Sequence, residues 1–236
     1  MRLSAPVHRL KRQARVLSRQ EEIPLHEALD RVAAGEGFAG WSLLAAKAAA
    51  VTPAARLFAR LVPGDLVLLA ARPGQGKTLM GLEIAVEAMK AGHRSSFFTL
   101  EYTAKDVRDR FPKIGADFAE FSDRFECDDS DAIDADHISA RLETAPAGTL
   151  AVIDYLQLLD QRRQNPELTV QVRALRELAR DKRLVLVFLS QVHRSFDGAA
   201  RPFPDLADVR LPNPLDLTLF SKLCFMNDRK IRFRAA

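Results

Sequence analysis

A chain of 236 residues, 47% of them hydrophobic, is long enough for one α/β domain with a sizeable core and a small appendage. No apolar run approaches the ~20 residues that span a bilayer and none follows the first positive charges, so neither a membrane span nor a secretory signal is expected, and the cytoplasm is the default location. The net charge of +4 is uneven: the first twenty residues carry Arg2, Arg9, Lys11, Arg12, Arg15 and Arg19 and no acid, so the rest of the chain is slightly acidic.

Leu3 to Ser18 reads as one helix, whose basic face suits either nucleic-acid phosphates or plain solvent. Pro24 to Ala33 reads as a second, with Leu25, Ala28, Leu29 and Val32 on one face and Gly35 and Gly37 ending it. A third short helix from Trp41 to Ala50 would let Trp41 and Phe38 pack these elements together. Thr52-Pro53 and Pro63-Gly64-Asp65 punctuate the passage onward, which sets a helical unit at 1–50 and a main domain at 51–236.

Leu66 to Ala71 is an apolar strand that breaks into Arg72-Pro73-Gly74-Gln75-Gly76-Lys77-Thr78. A helical pattern with Leu79, Leu82, Ile84, Ala85, Ala88 and Met89 apolar then runs to about Ala91. Strand, Gly/Pro turn ending in Gly-Lys-Thr, and helix are the layout of a phosphate-binding loop, in which backbone N–H groups and a helix N-terminus surround a polyphosphate. The Lys adds positive charge, and the hydroxyl can hold Mg²⁺. The strict pattern begins with Gly, whereas Ala71 stands first here.

Ser95 to Leu100 forms a second strand with Glu101 at its tip, in the layer where open α/β sheets bind ligands. Thr103 to Pro112 is a short helix. Phe118 to Ile133 mixes acids and aromatics without a period and yields only a strand near Phe125. Thr149 to Asp154 is again apolar until its terminal carboxylate, which can hold Mg²⁺ opposite Thr78, the Walker B arrangement. A basic loop containing Arg162 and Arg163 leads to a helix from Glu167 to Lys182. The strand Leu184 to Leu189 then ends in Ser190-Gln191, followed by a loop with Arg194 and Arg201. Lys222 to Met226 and Lys230 to Arg234 read as two strands joined at Asn227-Asp228. Cys127 and Cys224 have no second Cys or His at ligand spacing and read as free buried thiols. Alternating strands and helices predict a largely parallel sheet covered on both faces.

These residues resemble the ATPase domain of DnaB-type replicative helicases, in the RecA-like branch of phosphate-loop proteins. Gly64-Asp65 followed by Ala70-Ala71-Arg72-Pro73 and Gly76-Lys77-Thr78 is similar to the family's loop, where Ala stands first. Leu100-Glu101, Ile153-Asp154-Tyr155-Leu156-Gln157-Leu158, and Leu189-Ser190-Gln191 with Arg194-Ser195 match further motifs in order and spacing, over about residues 60 to 210. The resemblance implies a RecA-like α/β fold and an ATP site with Mg²⁺ on Thr78 and Asp154. Arg72 to Thr78 would cradle the nucleotide, Lys77 would neutralise its phosphates, Glu101 would activate water and Gln191 would sense the γ-phosphate.

It also implies single-stranded DNA as partner, bound through Arg162, Arg163, Arg194 and Arg201, and a homo-oligomeric ring. Two features depart from the family pattern. About fifty residues stand in place of its N-terminal helical domain, and the terminal Lys-x-Arg pair that reaches a neighbour's ATP is matched only by Lys230 and Arg232, without the Gly-Pro that follows it. The implied activity is an ATP-driven helicase or translocase; the alternative is a nucleotide-switched regulatory protein that keeps the site without unwinding DNA.

Overall fold

The computed structural model describes residues 3–5, 7–49, 51–160, 166–193, 196, 201–211 and 213–235. Two compact units form, Met1–Thr52 and Pro53–Ala236.

The first unit holds α1 (Val7–Gln20), α2 (Leu25–Gly35) and α3 (Trp41–Ala49). Its small core is Leu10 from α1, Ala33 from α2 and Leu44 from α3, with Phe38 and Trp41 packed beside it. Gly37 takes a positive φ of 81°, and Phe38 N–H returns to Ala33 O at 2.9 Å, which stops α2 and turns the chain. Asp30 accepts the first N–H of α3, from Trp41, at 2.7 Å.

The second unit begins with α4 (Pro53–Phe58), then β1 (Leu66–Ala71), α5 (Lys77–Lys90), β2 (Ser95–Thr99) and α6 (Ala104–Arg108). It continues with β3 (Phe125–Asp128), α7 (Ala135–Arg141), β4 (Leu150–Asp154), α8 (Leu168–Asp181), β5 (Val185–Gln191), β6 (Lys222–Asn227) and β7 (Lys230–Ala235). The strands form one sheet in the order β3-β2-β4-β5-β1-β6-β7, parallel throughout except for β7. Alternation within β1 divides the core. Leu66, Leu68 and Ala70 face a cluster with Val172, Leu175 and Ala179 of α8, while Val67, Leu69 and Ala71 face one with Met80, Ile84 and Ala88 of α5. Both faces are therefore covered, as the alternating pattern predicts.

Two helices, α4 and α7, are absent from the sequence reading, and α6 stops at Arg108 instead of Pro112. Pro53 opens α4 instead of breaking the chain, since the first helical position needs neither an N–H donor nor a free φ. Asp134 caps α7 by accepting from His137 N–H at 2.8 Å, within acid-rich sequence that shows little apolar period.

The position of α5 depends on Gly81. A Cβ there would lie 3.0 Å from Val152 of β4 and 3.1 Å from Leu189 of β5, so glycine lets the helix backbone approach the sheet closely. At the opposite end of β1, Asp65 is buried, bonds Ser221 Oγ at 2.8 Å and pairs with Lys222, pinning the start of β6 beside β1.

Candidate nucleotide site

β1 ends at Ala71, and the chain turns through Arg72 to Gly76 before α5 begins at Lys77. Gly74 and Gly76 hold φ values of 77° and 79°, a region that side chains disfavour, and nothing lies within 4 Å of a Cβ placed on Gly74. A side chain at Gly74 would thus meet open space, whereas one at Gly76 would approach Arg229 at 3.9 Å. No side chain caps α5, so the N–H groups of its first turn remain available to an anion. Thr78 Oγ1 donates to Asp154 Oδ2 at 2.7 Å, joining the first turn of α5 to the tip of β4.

Burial sets the electrostatics here. Asp154 is 1% exposed, and burial pushes its carboxyl up to about 6; the Thr78 hydrogen bond and the Lys77 charge oppose that shift, while Glu101 adds to it. Burial likewise lowers the Lys77 ammonium, against the pull of Asp154 and Glu101. Thr99 pairs in register with Asp154, so Glu101, two residues beyond Thr99, emerges at the same end of the sheet, exposed to solvent. Its N–H is held by Thr99 Oγ1 at 3.1 Å. Gln191, half-buried, ends β5 in register with Ala71. The strand order β2-β4-β5-β1 thus brings Glu101, Asp154, Gln191 and the phosphate loop together at the carboxyl ends of the central strands.

The all-oxygen pair of Thr78 and Asp154 suits Mg²⁺, and a buried carboxylate whose charged form is disfavoured is a fitting place for a divalent cation. Among the described residues no group of three or more His, Cys, Asp or Glu could hold a metal by itself.

Several residues around the site escaped the sequence reading. β6 and β7 are joined by Asp228-Arg229, one residue later than expected, with positive φ at both positions, the geometry of a two-residue hairpin turn. Because β6 lies parallel to β1, this turn reaches the phosphate loop: Asp228 N–H donates to Gln75 Oε1 at 3.1 Å, and Arg229 pairs with Glu83 of α5. Arg110 lies 3.7 Å over the Tyr102 ring. Gln157 Nε2 reaches Ser190 Oγ at 3.4 Å and Arg210 O at 2.6 Å. Gln157 lies inside the Asp154 motif already noticed, and only these contacts of its amide are new, whereas the Arg229 contact joins segments about 150 residues apart and leaves no local signal.

Lys230 is exposed at the start of β7, an edge strand, and Arg232 donates to Pro204 O at 2.9 Å with its guanidinium 5.6 Å from the Phe203 ring centre. Arg201 is paired within its own segment to Asp205 and Asp208 at 2.6 and 2.8 Å. Arg162, Arg163 and Arg194 lie outside the described residues. No described helix is long and apolar enough to cross a membrane.

The model of the DnaB-like helicase C terminal domain matches residues 54–117 and 108–213. Replicative DNA helicases DnaB of Leifsonia xyli and Geobacillus stearothermophilus are 27% and 28% identical over 64% and 62% of this chain. The chain spans 40% and 39% of the length of these curated relatives. Among solved structures, a DnaB-like replicative helicase aligns with a TM-score of 0.59 at 22% identity, over 69% of this chain and 47% of that one. The ATPase domain of the protein G40P aligns with a TM-score of 0.57 at 21% identity, over 78% and 80%. These likenesses agree with the observed sheet, a RecA-like one with a phosphate loop. With the family model covering most of the second unit, the chain belongs to the DnaB-like helicase C-terminal domain family.

Proposed function

We propose that the second unit binds ATP with Mg²⁺ at the phosphate loop, hydrolyses it, and uses the cycle to act on single-stranded DNA as a helicase or translocase. The observation that carries this reading is the meeting of Lys77, Thr78 and Asp154 at the carboxyl ends of the central strands, from which Glu101 and Gln191 emerge. Family membership supports it, and the same reading includes assembly into a homo-oligomeric ring.

Catalysis at such a site is mostly positioning and electrostatics. Backbone N–H groups from Gly74 to Thr78 would surround the β and γ phosphates, with Arg72 and Pro73 shaping the entry and Gln75 the rim. Lys77 sits where burial strengthens its attraction for phosphate, because little water competes for the ammonium. Thr78 and Asp154 would hold Mg²⁺, which supplies charge neutralisation on the phosphates when bound. Glu101, solvent-facing at the tip of β2, would orient a water and accept its proton. Gln191 would hydrogen-bond the γ-phosphate and pass its presence to the segment that follows β5.

Sizing the full chain with and without ATP and single-stranded DNA, alongside its rate of phosphate release, tests this reading. The expected result is Mg²⁺-dependent hydrolysis that single-stranded DNA accelerates, with larger particles when both ligands are present. Hydrolysis indifferent to DNA, from particles of unchanged size, would contradict the DNA-acting part of the reading.

A further inference from the structure

We propose that the outer face of α1 is a binding surface for the sugar-phosphate backbone of nucleic acid, separate from the nucleotide site and operating without ATP. At ~100° per residue, Arg9, Lys11, Arg12, Arg15 and Arg19 fall within one arc of about 160°. All five are exposed. Leu10 and Ala14 lie on the opposite side, buried, with Leu17 half-buried between them and solvent. The helix is therefore fixed by its apolar side and presents its cations outward.

Four of the unit's five acids are engaged away from this face, and the fifth, Glu22, makes no ion pair among the described residues. Glu21 and Glu27 both pair with Arg31 of α2, Asp30 accepts the Trp41 N–H, and Glu36 accepts from the backbone and hydroxyl of Ser4. Among the described residues, none of the five α1 cations makes an ion pair. Four of the unit's acids are thus committed elsewhere, and α1 itself contains none.

A dense, regular anion is the complementary partner. From Arg9 to Arg19 the helix rises about 15 Å, a length over which duplex DNA presents about nine charges. A membrane surface fits less well, because an interfacial helix inserts its apolar side into lipid, and here that side is already occupied by the unit's own core. Five exposed cations on one helix face suit the phosphate backbone, whose contacts position a partner without carrying sequence information.

The test is fluorescence anisotropy of the full chain, without nucleotide, on a mixed-sequence oligonucleotide as single-stranded DNA, single-stranded RNA or duplex DNA, across a salt series. One variant carries Lys11→Gln, Arg12→Gln, Arg15→Gln and Arg19→Gln. A second carries Arg12→Lys, Arg15→Lys and Arg19→Lys. Gln and Lys keep helix propensity close to that of Arg, and circular dichroism checks that both variants fold. The Gln variant should bind at least about tenfold more weakly and lose about 3 from the single-strand salt slope, roughly 0.7 per cation removed, while the Lys variant keeps wild-type behaviour. The three arms show whether strandedness or the 2′-hydroxyl matters. Equal affinity and slope in the Gln variant and wild type would overturn the proposal. So would a wild-type chain that binds phosphatidylserine vesicles and none of the oligonucleotides. No nucleotide is present, so failure of the ATPase reading would leave this result standing, and the reverse.

Discussion

Thr78 Oγ1 and Asp154 Oδ2, 2.7 Å apart, tie the start of α5 to the end of β4 across a buried carboxylate held up at about 6. A carboxyl raised from its ordinary 3.8 destabilises the metal-free fold wherever it must be charged. The penalty is absent below about 4, grows as pH rises through the interval to about 6, and is complete above it, with a ceiling of about 3 kcal/mol. In chelator, Asp154→Asn should therefore melt several degrees above wild type at pH 8 and close to it near pH 4. Equal destabilisation by the amide at both pH values, read by thermal denaturation, would mean that the carboxylate is well accommodated as an anion.

Gly81 lets α5 lie against β4 and β5. Alanine is the better helix former by about 1 kcal/mol, yet its Cβ would meet Val152 and Leu189 at 3.0 and 3.1 Å. Crowding in a packed core costs about 1–3 kcal/mol, so Gly81→Ala should be net destabilising, and Gly81→Val more so. Urea denaturation measures it; a stabilised alanine variant would show that the sheet yields at this point.

Arg229 and Glu83 hold the hairpin turn against the phosphate loop. The Arg229 side chain is half exposed, so the pair contributes about 1 kcal/mol at most, and a double-mutant cycle with Arg229→Ala and Glu83→Gln should return a coupling of that size. The turn also engages Gln75, so Arg229→Ala should weaken nucleotide binding by no more than about tenfold while leaving the melting temperature within a few degrees. Additive single and double variants in calorimetric titration would show that the turn is independent of the loop.

The order of strands and helices was legible because apolar runs end in turn residues or carboxylates at Ala71, Glu101, Asp154 and Gln191. The phosphate loop was legible because its chemistry needs contiguous residues. In Phe118 to Ile133 only the strand near Phe125 was legible, since Phe111, Phe118 and Phe125 form an aromatic cluster from turns and that short strand, with ring centres 5.1 to 6.1 Å apart, and turns carry no period. The place of β6 beside β1 was equally hidden. It depends on Asp65 gripping Ser221 and Lys222, a contact between residues more than 150 positions apart that no local pattern announces. That pairing decides where Arg229 lies, which is why the turn over the phosphate loop could be found only in the fold.

Single-turnover hydrolysis by Glu101→Gln, paired with calorimetric ATP binding and a Lys77→Ala control, decides whether the site at the carboxyl ends of the central strands hydrolyses ATP with Glu101 as base. Glu101→Gln should bind ATP with wild-type affinity and hydrolyse it about 10²–10⁴ times more slowly, because the amide keeps the shape and cannot take the proton. Lys77→Ala should lose most of its affinity with the fold intact. An unchanged single-turnover rate in Glu101→Gln would rule out Glu101 as the base, and equal ATP affinity in Lys77→Ala and wild type would rule out Lys77 as a phosphate ligand.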